Sequence, residues 1–415
     1  MSNLEVAGHP IPDYSGQHNF LARRPVFGLF KQVLAYDVIH CGALPEDDIG
    51  ACLEQRLDVL AAGQQVFVAV TREQIVRHNE LPSLAEGQQV VMVFDADIDV
   101  DDVLLGSVNH LTGKGYQVAL ADFDYGKNHN ALLPFADFIK LSLSHHADSL
   151  LQELLTSLHE FQVRLIAEDV DTLAQFEHAR DLGFDGFMGR FYCQPRYLDV
   201  QEIPAATVNL LRLVALVQED GLDIASMERL INQDVVLSFY LLRYLNSAVF
   251  SLRRKVGSIR HAIVLLGQDE VRKWSALVSV LCVKNKPHEL LRSALWRASM
   301  CELLCHEQGR GNPGTAFIVG LFSLLDAMFD ISLQELLLML PLVDEAKSAL
   351  LDGRGDYAAV LACVHAYERG EWSAVQCSSL SPAQISGAYL RAVHRADRAM
   401  NGLFAGETEM IAVAN

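Results

Sequence analysis

Long uninterrupted apolar runs are missing from these 415 residues. A membrane-crossing helix needs roughly 18 to 20 such residues in succession. The greasiest stretch, Leu333 to Leu340, contains Gln334 and Glu335 and stops at Pro341, so it is expected to be a core helix, and no membrane partner is expected. The opening residues, with Glu5, His9, Pro10, Pro12 and Asp13, lack the charged-then-apolar layout of a secretory leader. Positive charge is also scarce: 33 Lys and Arg against 52 Asp and Glu leave a formal charge of −19. That balance opposes a non-specific grip on phosphate backbones or anionic lipid, so nucleic acid is not an expected partner. The basic run Arg253-Arg254-Lys255 reads as solvated surface.

Paired cysteine spacing is absent too. Cys41, Cys52, Cys193, Cys282, Cys301, Cys305, Cys363 and Cys377 form no CxxC, which points to reduced core thiols in a cytoplasmic chain rather than disulfides or zinc. Cys301 and Cys305 lie one helical turn apart, but a structural zinc site needs two more ligands. With only 12 Pro and 27 Gly, and 51% hydrophobic against 20% charged residues, the chain is far from the disordered class. Its length fits two domains, at about 100 to 200 residues each.

Through about residue 195 the pattern switches between short β-rich runs and helical stretches. The expected strands are Phe20 to Phe27, Gln32 to His40, Gln65 to Thr71, Val90 to Asp95, Gln117 to Phe123, Phe138 to Ser142, Arg164 to Ala167 and Gly186 to Phe191. Helical segments such as Pro45 to Ala62, Asp101 to Thr112, Ala147 to Glu160 and Thr172 to Leu182 lie between them. Only Gly28 to Lys31 separates the first two strands, which therefore read as a hairpin; the later alternation argues for parallel strands with crossover helices. The expected fold class is α/β plus all-α: a (β/α)8-like barrel whose first strand is antiparallel, with a doubly wound sheet as the alternative, followed by a helical domain. After Pro195 the expected helices are Asp223 to Leu230, Asp234 to Leu245, Ser258 to Leu266, Asp269 to Val283, Leu290 to Gln308, Ala316 to Phe329, Leu333 to Leu340, Glu345 to Leu351, Tyr357 to Gly370 and Pro382 to Met400. The domains are expected at 1–198 and 199–400, with a tail at 401–415.

In a β/α barrel, chemistry sits at the carboxyl ends of the strands. Asp37, Thr71, Asp95, Asp122 with Asp124, Ser142, and Glu168 with Asp169 occupy those ends. Such carboxylates suit either divalent metal and water activation at a phosphodiester or capping of the helices that follow.

Five motifs in order resemble cyclic-di-GMP phosphodiesterases of the EAL family. Tyr36-Asp37-Val38-Ile39 stands at their Glu-Ala-Leu, and Ala119-Leu120-Ala121-Asp122-Phe123-Asp124 is similar to their Ala-Leu-Asp-Asp-Phe-Gly. Phe138-Ile139-Lys140-Leu141-Ser142 resembles the Lys-x-Asp strand, Ile166-Ala167-Glu168-Asp169-Val170-Asp171 the Ala-Glu-Gly-Val-Glu segment, and Met188-Gly189-Arg190-Phe191 the Gln-Gly-Tyr segment. The resemblance implies metal ligands at positions where this chain has Asp37, Ala69, Val93, Ala121 then Asp122, and Glu168, with Lys140, Ser142 and Met188 completing the site. Asp122, Lys140 and Glu168 keep the family's residue, and Asp37 is a shorter carboxylate. Alanine and valine offer no oxygen to a hard cation, and Asp95, two residues past Val93, falls further along the rim. Cys41 replaces the Arg that grips the substrate's phosphate, which counts against cyclic-di-GMP binding. These positions are accordingly read as vestigial, and no catalytic residue, metal or cofactor is expected.

The helical half resembles the HDOD domain, a relative of the HD phosphohydrolases without their chemistry. The resemblance rests on Asn209-Leu210-Leu211-Arg212, Ile231 to Ser238, Leu241 to Ala248, and Ser258 to Ile263 running into Leu265-Leu266-Gly267. Phe317 to Leu321 and Ala366 to Trp372 look like the version found behind degenerate EAL barrels. An HD site needs an adjacent His-Asp pair, and Ser323-Leu324 stands in its place; Asp326 is expected on a solvated helix face. His145-His146 reads as a loop or cap, Trp274 and Trp296 as core, and Trp372 as filling a gap between helices. The function implied is a non-enzymatic signalling module linked to cyclic-di-GMP, whose partners are other signalling proteins. Its expected surfaces are the barrel mouth, the stretch 196–209, and helices around Arg243, Asn246 and Arg272. The alternative is a residual phosphodiesterase or nucleotide sensor using Asp37, Asp122, Lys140 and Glu168.

Overall fold

The two leading apolar runs form the expected hairpin: β1 (Leu21–Phe27) and β2 (Val33–His40) pair antiparallel, with Arg24 opposite Asp37. The turn is closed by Gly28 N–H donating to Gln32 O at 2.9 Å and Lys31 N–H to Gly28 O at 2.9 Å. The structure, a computed structural model, describes residues 20–40, 57, 59–77, 90–123, 128–144, 148–158, 160–196, 223–232, 258–268, 270–271, 273, 286–338, 340, 342–377 and 379–404.

From β2 onward the strands run parallel: β3 (Gln65–Ala69), β4 (Val90–Phe94), β5 (Gln117–Leu120), β6 (Phe138–Ser142), β7 (Arg164–Glu168) and β8 (Gly186–Met188). β8 pairs parallel with β7 and antiparallel with β1, so the sheet closes into a barrel and the open doubly wound alternative falls away. Described crossovers include α1 (Arg72–Arg77), α2 (Asp102–Gly113), α3 (Asp148–Leu158) and α4 (Leu173–Asp181). The sequence reading missed α1, a short helix without a long apolar stripe, and the 3-10 turn at Asn128–Phe135. It also overran β8, which ends at Met188 before a 3-10 turn at Phe191–Cys193.

Strand alternation fills the barrel. Val26, Ala35, Phe67, Val91, Val93, Ala119, Ala121, Phe138, Ile166 and Met188 form one buried cluster, in which Phe67 and Phe138 meet edge to face at 4.9 Å. Burying each such aromatic removes apolar area worth about 2 to 3 kcal/mol. Polar side chains flank this packed interior: Gln65, Gln117 and Asp137 are hydrogen-bonded in series at the amino end, and a second polar group lies at the carboxyl-end mouth.

The described residues divide into two compact units, one spanning 18–194 with 368–372, the other lying within 195–367 and 373–415. In the second, described helices are α5 (Ile224–Asn232), α6 (Ile259–Leu266), α7 (His288–Gln308), α8 (Pro313–Phe322), α9 (Leu325–Phe329), α10 (Leu333–Leu338), α11 (Asp344–Leu351), α12 (Asp356–Arg369) and α13 (Pro382–Phe404). α7 is buried on most of its circumference and packs chiefly against α8 and α13, as a helix without a broad polar face must. Trp296 meets Tyr389 edge to face at 5.5 Å, in the core as expected. The single helix expected from Ala316 to Phe329 is instead two: at Leu324 the backbone leaves helical geometry, while the Ser323 hydroxyl donates to Gly320 O at 2.8 Å. α13 continues to Phe404, past the expected end at Met400. The expected helix Asp234 to Leu245 lies outside the described residues, as does Trp274.

Candidate functional site

Alternation along each strand decides which side chains reach the mouth. On β2, Asp37 lies two residues beyond the inward Ala35; on β6, Lys140 two beyond Phe138; on β7, Glu168 two beyond Ile166. The three meet. Lys140 Nζ lies 3.1 Å from Asp37 Oδ1 and 2.9 Å from Glu168 Oε1. Asp37 and Lys140 are each 4% exposed, so the interaction is little screened by solvent.

A fourth group completes the cluster, and the sequence reading missed it. Arg24 sits opposite Asp37 in the β1–β2 register and donates from Nη2 to Asp37 Oδ2 at 2.7 Å. The available signal was an arginine two residues from the inward Val26 on the same strand. Its neighbour Arg23 faces the other way, stacking on Tyr36 at 4.3 Å and donating to Val59 O at 3.0 Å. Both oxygens of Asp37 are thus held by cations. Burial alone would raise the Asp37 carboxyl, but Lys140 and Arg24 outweigh it and hold the group below the ordinary carboxylate range. Burial would likewise lower Lys140, yet Asp37 and Glu168 hold it above its ordinary value.

Beside this cluster two serine hydroxyls converge on a carboxylate. Ser142 Oγ donates to Asp169 Oδ2 at 2.5 Å and Ser144 Oγ to the same oxygen at 3.1 Å. Asp169 and Asp122 each follow their strand in left-handed backbone geometry, at φ 60° and 46°, a region Asp enters more readily than most residues. Asp122 is carried on the exposed rim, and Asp95 is likewise exposed while Val93 is buried inside. Thr71 accepts from Gln74 N–H at 3.4 Å at the start of α1, and Asp101 caps α2 by accepting from Leu104 N–H at 2.8 Å. Capping therefore accounts for some of the polar residues that follow strands.

Among the described residues, the neighbouring inward positions are apolar. Val93, Ala121 and Met188 are buried, and Ala69 ends β3 two residues past Phe67. A hard divalent cation takes about six or more oxygen ligands. Here Asp37 is saturated by two cations and one Glu168 oxygen faces Lys140, while the flanking strands present methyl, isopropyl and thioether groups. These residues do not fit a paired-cation centre; an ammonium occupies the centre of charge instead.

Residues 368–372 pack at the same end of this unit. Trp372 stacks on Phe20 at 5.5 Å with rings 9° apart, and Glu368 Oε2 lies 3.8 Å from Arg190 Nη2. Gly370, at φ 71°, lies so close to Ile39 that a Cβ would approach its Cδ1 to 2.9 Å. Trp372 therefore does not fill a gap between helices, as the sequence suggested, but stacks beside β1. Of the other candidates, Ser323 accepts from Arg297 Nη1 at 3.1 Å, and Asp326 is half-buried rather than on a solvated face, with burial pushing its carboxyl up. Cys41, Asp124, His145, His146, Arg243, Asn246, the run Arg253-Arg254-Lys255 and Arg272 lie outside the described residues, as does nearly all of 196–209. Among the described residues, no helix is long and apolar enough to cross a membrane.

Comparison with known proteins adds two domain matches and two relatives. Residues 83–195 match the EAL domain and residues 203–333 the HDOD domain. A Bacillus subtilis relative, "Uncharacterized protein YuxH", is 28% identical over 387 residues, covering 87% of this chain and 93% of its own length. "Cyclic di-GMP phosphodiesterase CdgJ" of Vibrio cholerae is 29% identical over 375 residues, covering 86% of each chain. Among solved structures, the Klebsiella pneumoniae BlrP1 calcium/cy-diGMP complex overlaps at TM-score 0.36 and 16% identity, over 45% of this chain and 58% of that one. The EAL domain of Mycobacterium smegmatis DcpA overlaps at TM-score 0.35 and 17% identity, over 41% of this chain and 90% of that one.

Proposed function

We propose that this chain, in which an EAL domain is joined to an HDOD domain, acts in cyclic-di-GMP signalling as a non-enzymatic scaffold through contacts with other signalling proteins. The link to cyclic-di-GMP is supported by the EAL match and by the relative named as a cyclic di-GMP phosphodiesterase. The absence of turnover is argued from one observation: Lys140 lies between Asp37 and Glu168, with Arg24 on the remaining Asp37 oxygen. Phosphodiester hydrolysis of the two-metal kind needs cations that polarise the phosphate and activate water. An ammonium held by two carboxylates supplies charge but no open coordination position, and Val93, Ala121 and Met188 add no donor.

A second reading, a residual phosphodiesterase or nucleotide sensor using Asp37, Asp122, Lys140 and Glu168, has its own support. Arg24 Nε is buried with no hydrogen-bond partner, a donor that a bound anion would satisfy. Isothermal titration of the purified chain with cyclic-di-GMP in Ca²⁺, followed by a hydrolysis assay in Mg²⁺, separates the two. The scaffold reading expects neither heat nor turnover. Saturable binding, or turnover abolished by Glu168→Ala, would overturn it in favour of the sensor or the enzyme.

A further inference from the structure

The sequence singled out Ala366 to Trp372 without giving the stretch a task; the structure sets part of it against the barrel. Residues 368–372 belong to the barrel unit and meet it at the carboxyl-end rim, along the neighbouring strands β8, β1 and β2. Phe20 precedes β1 and, because β1 runs antiparallel to β2, lies beside the end of β2. Ile39 lies on β2 two residues beyond Asp37, and Arg190 two residues beyond the end of β8. Alternate residues of the segment face this rim: the Glu368 carboxylate meets Arg190, Gly370 meets Ile39, and the Trp372 ring meets Phe20. The residues between them, Arg369 and Glu371, are exposed and pair with each other at 3.5 Å.

We propose that the rim of Phe20, Ile39 and Arg190 is a docking site for a protein segment of the pattern acidic-x-Gly-x-aromatic, which Glu368 to Trp372 occupies within the chain and a signalling partner occupies by displacing it. The inference rests on the scaffold reading and supplies the surface and the chemistry of its contact. Each position of the pattern is read by different physics. Trp372 and Phe20 stack at 5.5 Å with rings 9° apart, which selects a flat aromatic. Gly370 stands at φ 71°, a backbone region that strains any side chain, and a Cβ there would come within 2.9 Å of Ile39 Cδ1, so the central position selects glycine. The acidic position is held most loosely. Glu368 Oε2 stands 3.8 Å from Arg190 Nη2, while Arg190 Nε is buried with no hydrogen-bond partner. A carboxylate drawn in to both nitrogens would satisfy that donor in the forked geometry arginine favours. The arginine is fixed from behind, since its backbone N–H donates to Asp171 Oδ1 at 3.0 Å.

The resident segment sets the expected behaviour. Tethered within the chain, it competes at an effective concentration of about a millimolar or more, so a partner's segment binds the vacated rim far more tightly than the occupied one. Two changes vacate the rim without altering it. Trp372→Ala deletes the stacking ring, and Gly370→Val forces a β-branched side chain into left-handed backbone against Ile39. Neither replaces a member of the Arg24, Asp37, Lys140 and Glu168 cluster.

The test uses the full-length chain and a fluorescent synthetic peptide with the sequence of residues 366–374, read by anisotropy. Saturable binding to Trp372→Ala and to Gly370→Val is expected, about tenfold or more tighter than to wild type. It is expected to be lost when Arg190→Glu is added to either variant, and when the peptide itself carries Trp372→Ala. On the wild-type chain, an excess of peptide carrying Arg369→Gln is expected to speed tryptic cleavage after the resident Arg369, a readout that needs no variant to fold. No saturable binding to a folded variant, binding that survives Arg190→Glu, or a cleavage rate indifferent to peptide would overturn the docking site. Wild-type dimers that Arg190→Glu dissolves would assign the rim to a second copy and overturn a separate partner. The scaffold reading fails by a different result, heat from cyclic-di-GMP, so the two failures are told apart.

Discussion

Both units bury a cation, but they hold it differently. In the barrel, Lys140 is flanked by Asp37 and Glu168 at 3.1 and 2.9 Å. In the helical unit, Arg297 is 1% exposed, donates to the Ser323 hydroxyl at 3.1 Å, and lies on the stretch of α7 pressed against Gly320 of α8. The difference follows from the elements. A strand commits every second residue to the interior, so a barrel that keeps its inward carboxylates must neutralise them there. A helix turns through its neighbours, so the end of α8 presents a glycine and a hydroxyl to Arg297, and the Asp326 carboxylate adds an electrostatic attraction.

Removing the barrel cation is expected to have the largest effect. Lys140→Met leaves Glu168 without its ammonium and Asp37 with Arg24 alone, and breaking a buried pair in this way costs about 3 to 5 kcal/mol, read from urea denaturation at neutral pH. The pH profile sharpens the assignment. In the native protein Asp37 is held below the carboxylate value of about 3.9, so its contribution is present above that pH and lost as pH falls through the lowered folded value. Lys140 is held above about 10.4, so its contribution is present below that pH and lost as pH rises through the raised value. The gap between wild type and Lys140→Met is therefore expected to stay level across the neutral range and to narrow on acidification below about pH 4. A gap that widened there would place the stabilising charge elsewhere.

Much of this barrel was legible beforehand because period-2 patterning and strand-helix alternation are local signals. The hairpin, the parallel run and the mouth residues Asp37 and Glu168 followed from them, while Lys140 was singled out only through the resemblance to the EAL family. Arg24 was not legible, since its role depends on which residue of β2 lies opposite it, and register is not written in either strand alone. The break between α8 and α9 was also hidden, because Phe322 to Leu325 looks apolar and helical until the Ser323 hydroxyl turns back onto Gly320 O. The stacking of Trp372 on Phe20 depends on tertiary packing in the same way.

In the helical unit the comparison breaks on packing before it breaks on charge. A Cβ at Gly320 would lie 2.6 Å from Arg297 O and 2.7 Å from Ala298 Cα; both are backbone atoms, so α7 and α8 must separate to admit it. Gly320→Ala is expected to cost about 1 to 3 kcal/mol as overpacking, even though alanine is the better helix former, and a stabilised variant would show that this close approach is not what orients Arg297. The smallest effect is expected from Ser323→Ala, at about 1 kcal/mol. That change removes an acceptor from Arg297 and also the hydroxyl that donates to Gly320 O. Because a hydroxyl carries no charge, the loss should not vary between pH 5 and pH 9, and a loss that changed across that range would mean that the Ser323 hydroxyl supports a group titrating there and not the guanidinium alone.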